Sequence, residues 1–546
     1  MAYQGSLSHI QALIIEDMAV QQTTLRGQLA LLGITRVDVA SNANDAYRLI
    51  RTNKYGLIMC DFNLNHRTDG QQLFEHVREQ GLLPADCLFF MITAESSYAS
   101  VAATTEHHPD AYLLKPVTAS DIEDRLKAML EKRQALLPVS SRLAKSDLNG
   151  ALQASDELIA QRNRWFMSAL QLKGQTLLKL GRHEDAKAVY EQALEVRPDL
   201  LWARLGVARA HKAAGRFDEA HRLAQDIIES PEGEKMVAAY DVVAESQEAS
   251  GDPLGALWTL RDASLVVPST RRHRMVGESA YRNGDLDMAK QALGKAAKAS
   301  RGTIVAQAQD DLLLAQTLVD IGEPSEALRV LQDAKNHYKD HPGFGATSLS
   351  LQAQVEMANG QPEQAKATLE KARASLGKGK ADFATVALAK AELMAGHEEA
   401  GLALLGDAIS ADHENLRVKQ MIAKALQDTG HEDKVAAVIE SATASMQNMV
   451  TDARKLLRDS RIDDAVGIIE NAAHEYPENT GVLLQAAQIQ CMALRLKKTL
   501  DEPRIGTIRD HLDRLDKLLP GHDRVTMMRR YFRETLGTLD ASGQHS

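Results

Sequence analysis

The sequence predicts two parts of different fold class: an α/β, doubly wound, five-stranded parallel sheet, followed by an all-α superhelix. In about the first 130 residues, short apolar runs alternate with amphipathic segments, which is the pattern of successive βα units. Beyond that point the chain has only helical periodicity, and glycine recurs at intervals in the mid-thirties. The chain has 546 residues, too many for one hydrophobic core, so at least two domains are expected.

Composition narrows the class of protein. Hydrophobic residues make up 44% of the chain and aromatic residues only 4%, which suits closely packed helix pairs filled by alanine and leucine. A formal charge of −10 argues against a protein devoted to DNA or RNA. Cys60, Cys87 and Cys491 lack metal-type spacing and are expected to be buried, reduced thiols. We find no signal peptide and no run that approaches a membrane span, so a cytoplasmic protein without membrane contact is expected.

The strands of the first part end in polar residues. The predicted strands are Ala12–Ile15, Val37–Ala40, Leu57–Cys60, Cys87–Ile92 and Ala111–Leu114. The predicted helices among them are Val20–Leu32, Asn44–Asn53, Gln71–Gln80 and Ala119–Lys132. In a parallel sheet the site lies at the carboxyl ends of the strands. One edge of the sheet should therefore carry Glu16, Asp17, Asp61, Thr93 and Lys115.

These residue types together point to phosphoryl transfer onto a carboxylate. Three crowded carboxylates repel each other unless a cation is present, and an all-oxygen ligand set favours Mg²⁺. Lys115 would add a fixed positive charge and Thr93 a hydroxyl group. The metal and Lys115 would then offset the charge of a phosphoryl group while Asp61 attacks it in line.

Residues 10–132 resemble the receiver domain of bacterial response regulators, a flavodoxin-like fold. The resemblance rests on the Glu16-Asp17 pair, Asp61, Thr93-Ala94 and Lys115-Pro116, with gaps of 44, 32 and 22 residues between Asp17, Asp61, Thr93 and Lys115. It implies that a histidine kinase or phosphotransfer protein phosphorylates Asp61. It also implies Mg²⁺ held by Glu16 or Asp17, Asp61 and the Asn63 carbonyl, a switch role for Tyr112, and a cis-type Lys115-Pro116 pair. The loop Asn63–Asp69 departs from the family in lacking a proline.

The remaining chain is built from repeats. The clearest unit, Met167–Leu200, has Gly174, Gly181, Ala186, Tyr190, Ala193 and Pro198 at fixed offsets and resembles the tetratricopeptide repeat (TPR) of about 34 residues. The turn residue recurs at Gly215, Gly251, Gly284, Gly322, Gly360, Gly396, Gly430 and Ser460, at spacings of 34, 36, 33, 38, 38, 36, 34 and 30. The predicted boundaries are 1–132 for the receiver, 133–166 for a linker helix and degenerate opening repeat with a hinge at Leu136–Pro138, 167–495 for the TPR solenoid, and 496–546 for capping helices and a disordered end from about Asp540.

Stacked TPR pairs leave a concave groove that can take a peptide. The geometry of the family implies a groove lined by Arg209, Lys212, Arg271, Arg274, Tyr281 and Arg282, where an acidic segment or a C-terminal carboxylate could bind. The alternative reading of these arginines is ordinary solvated surface. A further possibility is that the basic clusters Arg271–Arg274 and Arg529–Arg533 contact RNA.

We interpret the sequence as that of a phosphorelay response regulator whose output is protein–protein interaction through the TPR part. Its expected partners are a histidine kinase or phosphotransfer protein, a target protein or peptide in the groove, and a second copy as a possible homodimer. We expect no separate enzymatic activity beyond the receiver's own phosphorylation and dephosphorylation. Two alternatives remain: a constitutive scaffold whose receiver docks without phosphate, and a post-transcriptional regulator that binds RNA.

Overall fold

A computed structural model describes residues 7–64, 68–84, 86–94, 109–145, 147–339, 341, 344–376, 383–412, 415–519 and 523–543. The chain forms two compact units. The first contains residues 1–178, 183–276 and 294–307, and the second contains 179–182, 277–293 and 308–546. Among the helices described, none combines the length and the apolar character needed to cross a bilayer.

The N-terminal part is a parallel sheet of five strands in the order β2-β1-β3-β4-β5. The strands are β1 Gln11–Ile15, β2 Arg36–Ala40, β3 Leu57–Asp61, β4 Leu88–Thr93 and β5 Ala111–Leu114. Because β1 lies between β2 and β3, the chain reverses its winding direction at β1/β3, where a site is expected. The doubly wound sheet predicted from the sequence is confirmed.

Helices cover both faces of this sheet. The described helices of the receiver part are α1 Ala19–Leu31, α2 Ala43–Thr52, α3 Gly70–Glu79 and α4 Ala119–Ala144. One apolar cluster, with Ile14, Met59 and Ile92, packs under α1 and α4, and a second, with Ile58, Phe74 and Phe89, packs under α2 and α3. Strands buried on both faces explain why their sequences are continuous apolar runs. Cys60, Cys87 and Cys491 are buried free thiols, as expected.

The predicted hinge at Leu136–Pro138 is wrong. The helix that starts at Ala119 runs through Pro138 to Ala144. Pro138 removes one backbone hydrogen bond, but Leu136 and Val139 are buried against the next helix, α5 Leu148–Ala160. Tertiary packing thus outweighs the local effect of proline, and no break separates the receiver from the first repeat helix at this point.

The rest of the described chain is helical. Its helices are α6 Phe166–Lys179, α7 His183–Val196, α8 Leu201–Ala213, α9 Phe217–Ile228, α10 Val237–Ala249, α11 Pro253–Val266, α12 Thr270–Arg282, α13 Leu286–Ser300, α14 Ala308–Ile321, α15 Pro324–Tyr338, α16 Phe344–Ala358, α17 Pro362–Ser375, α18 Phe383–Met394, α19 Glu398–Ala411, α20 Leu416–Asp428, α21 Val435–Arg458, α22 Ile462–Glu475, α23 Thr480–Lys497, α24 Glu502–Leu518 and α25 Asp523–Gly543. A 3₁₀ turn, Glu432–Lys434, precedes α21. The C-terminal helix includes 540–543; the end of the chain, 544–546, is outside the described residues.

The repeat pattern is set by residues with a left-handed backbone. All nine predicted turn residues have positive φ, between 62° at Ser460 and 89° at Gly322. Glycine adopts this conformation without a Cβ clash, which ends the first helix of each pair. The spacing of 30 between Gly430 and Ser460 has a structural reason: α21 is one 24-residue helix that replaces two helices and their loop. The all-α repeat region predicted from the sequence is confirmed.

Close helix crossings use small residues. A Cβ placed on Gly174 or Gly206 would lie 2.5 Å from the ring of Tyr190, so this ring packs directly against two helix backbones. A buried alanine also recurs five residues after each of the first four turn glycines, at Ala186, Ala220, Ala256 and Ala289. This packing explains the low aromatic content.

The second unit contains a buried network of charged and amide groups. Lys390 is only 4% exposed; its Nζ donates to Asp320 Oδ1 at 2.8 Å and to Asp428. Lys424 also pairs with Asp428, at 3.0 Å. Gln316 joins the network through Asp320 and Gln354. Side chains from α14, α16, α18 and α20 are thus joined through polar contacts, which are strong in a low-dielectric interior.

Candidate functional site

Three carboxylates meet where β1 and β3 end. Glu16 and Asp17 follow β1, Asp61 is the last residue of β3, and the two strands are neighbours with Ile15 opposite Cys60. One carboxylate oxygen of each residue lies within 4.8 Å of the others. Glu16 and Asp61 are buried and Asp17 is half-buried. The sheet order therefore brings together the acidic residues that the sequence predicted.

Lys115, which follows β5, supplies the positive charge. Its Nζ donates to Asp61 Oδ2 at 2.8 Å and to Glu16 Oε2 at 3.1 Å. Burial raises the pKa of the Glu16 carboxyl, against the hydrogen bond from the Met18 amide, and Asp61 raises it further. Burial lowers the pKa of Lys115, but its bonds to Asp61 and Glu16 outweigh burial and hold the ammonium charged. The peptide bond between Lys115 and Pro116 is cis, as the motif predicted.

Thr93 and Tyr112 flank this centre. Thr93, the last residue of β4, is 2% exposed, and its carbonyl accepts a hydrogen bond from the Lys115 amide at 2.8 Å. Tyr112 is half-buried on β5, and its hydroxyl donates to Gln71 Oε1 on α3 at 3.4 Å. Burial and the nearby Glu75 raise the pKa of this phenol above its usual value. Tyr112 thus links the strand that carries Lys115 to the first turn of α3.

The donor set fits a magnesium ion. The three converging groups are all carboxylates, no histidine or cysteine joins them among the described residues, and hard oxygen ligands are those that Mg²⁺ prefers. Glu16, Asp17 and Asp61 would hold the ion. The predicted role of the Asn63 carbonyl stays a prediction, because residues 65–67 of its loop lie outside the described part of the chain. A bound Mg²⁺ would neutralise charge on a phosphoryl group at Asp61.

Helix α3 starts directly on the end of β3, a feature that sequence reasoning missed. The Gly70 amide donates to the Phe62 carbonyl at 2.9 Å, and a Cβ on Gly70 would lie 2.2 Å from the Asp61 carbonyl oxygen. Asp69 caps the helix: its Oδ1 accepts from the Gln72 amide at 2.7 Å. The available signal in the sequence was Asp69, a residue type that favours helix N-caps, followed directly by Gly70 and three residues later by Gln72. Any shift of the backbone at Asp61 therefore acts on α3.

Replacing Gly70 with alanine is expected to destabilise the receiver by about 1–3 kcal/mol, because the new methyl group cannot fit against the Asp61 carbonyl. Gly27→Ala is the matched control. It adds the same group to helix α1, where nothing lies within 4 Å, and should be neutral or stabilising. Urea unfolding of both variants measures the difference. Equal midpoints would contradict the tight seating of α3.

The predicted groove residues of the first unit line two cavities. Arg209, Lys212 and Arg271 share a cavity of about 260 Å³ with the carboxylates of Asp241 and Glu245, and Lys212 forms an ion pair with Glu245. Arg271 and Arg274 also line a cavity of about 220 Å³ whose other wall is formed by α3. The basic side chains are therefore set among acidic ones, which composition alone could not reveal.

In the second unit, Tyr281 is not available to a partner, which corrects the sequence-based expectation. It is 4% exposed, its hydroxyl donates to Asp320 Oδ2 at 3.0 Å, and Lys424 lies over its ring. Burial strongly raises the pKa of its phenol. Arg282 Nε donates to Gln420 Oε1 at 3.1 Å. The contacts between helices distant in the chain occupy these side chains.

The comparisons with known proteins agree with both parts. The response regulator receiver domain model matches residues 12–127, and a tetratricopeptide repeat model matches residues 177–239. The chain thus contains a receiver domain in its N-terminal part, followed by a region with tetratricopeptide repeats. The chain is 26% identical over 178 residues to the alkaline phosphatase synthesis transcriptional regulatory protein PhoP of Bacillus subtilis, an alignment that covers 32% of this chain and 72% of PhoP.

A second relative is the transcriptional regulatory protein SrrA of Staphylococcus aureus, 31% identical over 96 residues. That alignment covers 18% of this chain and 38% of SrrA, so the chain spans well under half of that relative's length. A crystal structure of a tetratricopeptide repeat protein from Parabacteroides merdae aligns with 51% of this chain and 98% of its own, at 14% identity and a TM-score of 0.31. The assignment of the helical part therefore rests on its own repeat geometry and on the repeat model.

Proposed function

We propose that this protein is a bacterial, cytoplasmic phosphorelay response regulator whose output is protein binding by its TPR part. A histidine kinase or phosphotransfer protein would supply the phosphoryl group to Asp61. The observation that carries this proposal is the buried arrangement of Asp61 with Lys115 at 2.8 Å and with two further carboxylates. A silent structural site would need only one carboxylate to pair with Lys115.

The transfer itself needs few groups from this chain. An Asp61 carboxylate oxygen forms a bond to phosphorus while the bond from phosphorus to the donor's histidine nitrogen breaks, and the electron pair returns to the imidazole ring. Lys115 orients Asp61 before transfer and offsets phosphoryl charge after it. Glu16 and Asp17, with Asp61, would hold a Mg²⁺ ion, which would neutralise phosphoryl charge. The protein would catalyse only this transfer and the later hydrolysis.

A role in RNA binding receives less support. Arg272 of the first basic cluster is 5% exposed and forms an ion pair with Asp241, in which Arg272 Nη2 donates to Asp241 Oδ2 at 2.9 Å. Arg529 of the second cluster pairs with Asp513 and Asp516. Paired arginines release few counterions on binding phosphates, so neither cluster offers its full charge to a nucleic acid.

A capture experiment tests the proposed output. One bait is the wild-type protein with Mg²⁺ and beryllofluoride, which mimics phosphate on Asp61, and the other is Asp61→Asn under the same conditions. We expect at least one protein of the native cytosol to be captured by only one bait. Asp45→Asn, at a partly exposed carboxylate on α2, is the matched control and should behave as wild type. Identical captures by all baits would favour the constitutive scaffold instead.

A further inference from the structure

Helix α3 has two faces of different character. Leu73, Phe74 and Val77 are buried in the receiver core. Gln72, Glu75 and Glu79 lie at i, i+3 and i+7, which places them together on another face of the helix. Glu75 is half-buried, and burial raises the pKa of its carboxyl, although the bond from Gln71 and the charge of Arg271 oppose this. This face is therefore acidic and partly covered.

The acidic face of α3 lies against the start of α12, within the first unit. Gln72 Nε2 donates to Thr270 Oγ1 at 3.5 Å, and Glu79 pairs with Arg271 at 4.0 Å. We call Thr270, Arg271 and Arg274 the α12 patch. The segment after α13 adds a second contact: Ile304 packs against the apolar cluster under α2 and α3, and Asn44 donates to the Gly302 carbonyl at 3.5 Å.

This contact leaves space between its two sides. A cavity of about 220 Å³ lies between α3 and the α12 patch, and the ion pair between Glu79 and Arg271 is 4.0 Å long with both side chains partly exposed. Partly exposed ion pairs of this kind contribute little free energy. An interface between parts of one chain that is small and polar is one that can open.

The phosphoryl site acts on the same helix. The Gly70 amide and the Asp61 carbonyl fix the start of α3 to the end of β3. Tyr112 donates to Gln71, and Gln71 Nε2 donates to Glu75 Oε1 at 2.9 Å. Two connections from the phosphoryl site thus converge on the first turn of α3, whose acidic face contacts the α12 patch.

We propose that the α12 patch is a docking site for an acidic helix of a partner protein, and that α3 occupies this patch until phosphorylation of Asp61 withdraws it. The proposal rests on the proposed function, because phosphorylation is the event that opens the site. The chemistry of α3 defines the partner: a helix with carboxylates at i and i+4, as at Glu75 and Glu79, preceded by an amide side chain, as at Gln72. Arg271 and Arg274 supply the complementary charge.

Chemical crosslinking tests whether the contact opens. In the full chain, Gln72→Cys/Thr270→Cys is treated with a short bismaleimide, and the buried native cysteines should not react. We expect beryllofluoride with Mg²⁺ to slow the crosslink about fivefold or more. The control pair Lys173→Cys/Asp156→Cys replaces an ion pair between α5 and α6 and should crosslink at an unchanged rate. Absence of the crosslink without beryllofluoride, or equal rates with it, would overturn the proposal.

A stapled peptide tests what the open patch binds. The probe carries residues 69–80 with Leu73, Phe74 and Val77 replaced by alanine, so that only the acidic face of α3 remains. We expect the beryllofluoride-loaded protein to bind it about tenfold or more tightly than Asp61→Asn does, and Arg271→Glu/Arg274→Glu to lose this binding. Arg222→Glu/Arg329→Glu, at exposed positions, is the matched control. Equal binding by the Arg271/Arg274 variant would overturn the assignment of the site.

Fluorine NMR of the same samples shows whether beryllofluoride binds, and so distinguishes a failure of this inference from a failure of the proposed function. Uptake of beryllofluoride with unchanged crosslinking and no peptide binding would overturn this inference and leave the proposed function standing. Failure to take up beryllofluoride at Asp61 would overturn the proposed function and, with it, this inference. Circular dichroism of each variant verifies that the comparison is made between folded proteins.

Discussion

Asp61→Asn is expected to abolish phosphoryl uptake from a small phosphodonor such as acetyl phosphate. The amide that replaces the carboxylate has nearly the same shape but is a poor nucleophile and carries no charge for Lys115 or Mg²⁺. The wild-type protein should take up one phosphoryl group, detected by intact-protein mass spectrometry. A chelator should produce the same loss in the wild type, because the remaining carboxylates would repel the incoming phosphate.

The control for this loss is Asp45→Asn, which removes a carboxylate that pairs with Arg48 on α2 and accepts a hydrogen bond from Asn42 Nδ2 at 2.8 Å. It should take up phosphate at the wild-type rate. Labelling of Asp61→Asn at that rate would place the acceptor elsewhere and contradict the site. Retention of uptake in the chelator would contradict the metal requirement.

Lys390→Met is expected to destabilise the second unit by about 3–5 kcal/mol, the typical effect of removing one partner of a buried ion pair. Asp320, whose side chain is 4% exposed, would then lose its bond to Lys390, while the more exposed Asp428 would keep only Lys424. Burial raises the pKa of the Asp320 carboxyl above its usual value, although Lys390 opposes this. For Asp428, burial acts in the same direction, but the contacts with Lys390 and Lys424 outweigh it and lower the pKa below its usual value. Urea unfolding of the full chain, followed at the transition of the second unit, measures the effect.

Lys290→Met is the matched control, because Lys290 pairs with Glu323 at the surface of the same unit with a third of its side chain exposed. Its removal should change the midpoint little, since solvent screens such pairs. A similar small change for both variants would show that the buried network contributes no more than a surface pair, and would contradict its assignment as a stabilising element.

Local signals made much of the receiver predictable. Each strand is an apolar run with a polar residue at its end, and the parallel arrangement alone brings Glu16, Asp61 and Lys115 to one edge. The nine turn residues were equally accessible, because a left-handed backbone at fixed intervals leaves glycine as a direct mark in the sequence.

Contacts between distant residues explain what could not be predicted. Pro138 reads as a break, but the burial of Leu136 and Val139 sustains the helix. The geometry of the TPR family places Tyr281 in the groove, but Asp320 and Lys424 cover its side chain. No sequence feature near Tyr281 indicates these contacts. The contact of α3 with Thr270 joins residues separated by 198 positions. Such pairings depend on how the helix pairs stack, which a single sequence does not encode in any short pattern.

The central claim is that a phosphoryl group on Asp61 changes what the TPR part binds. The most direct measurement is a titration of the protein identified by the capture experiment against the full chain, with and without beryllofluoride and Mg²⁺. We expect the two states to differ in affinity for the partner by about 5- to 150-fold, and the partner to change the affinity for beryllofluoride by the same factor. Equal partner affinities in the two states would contradict the claim, however tightly the partner binds.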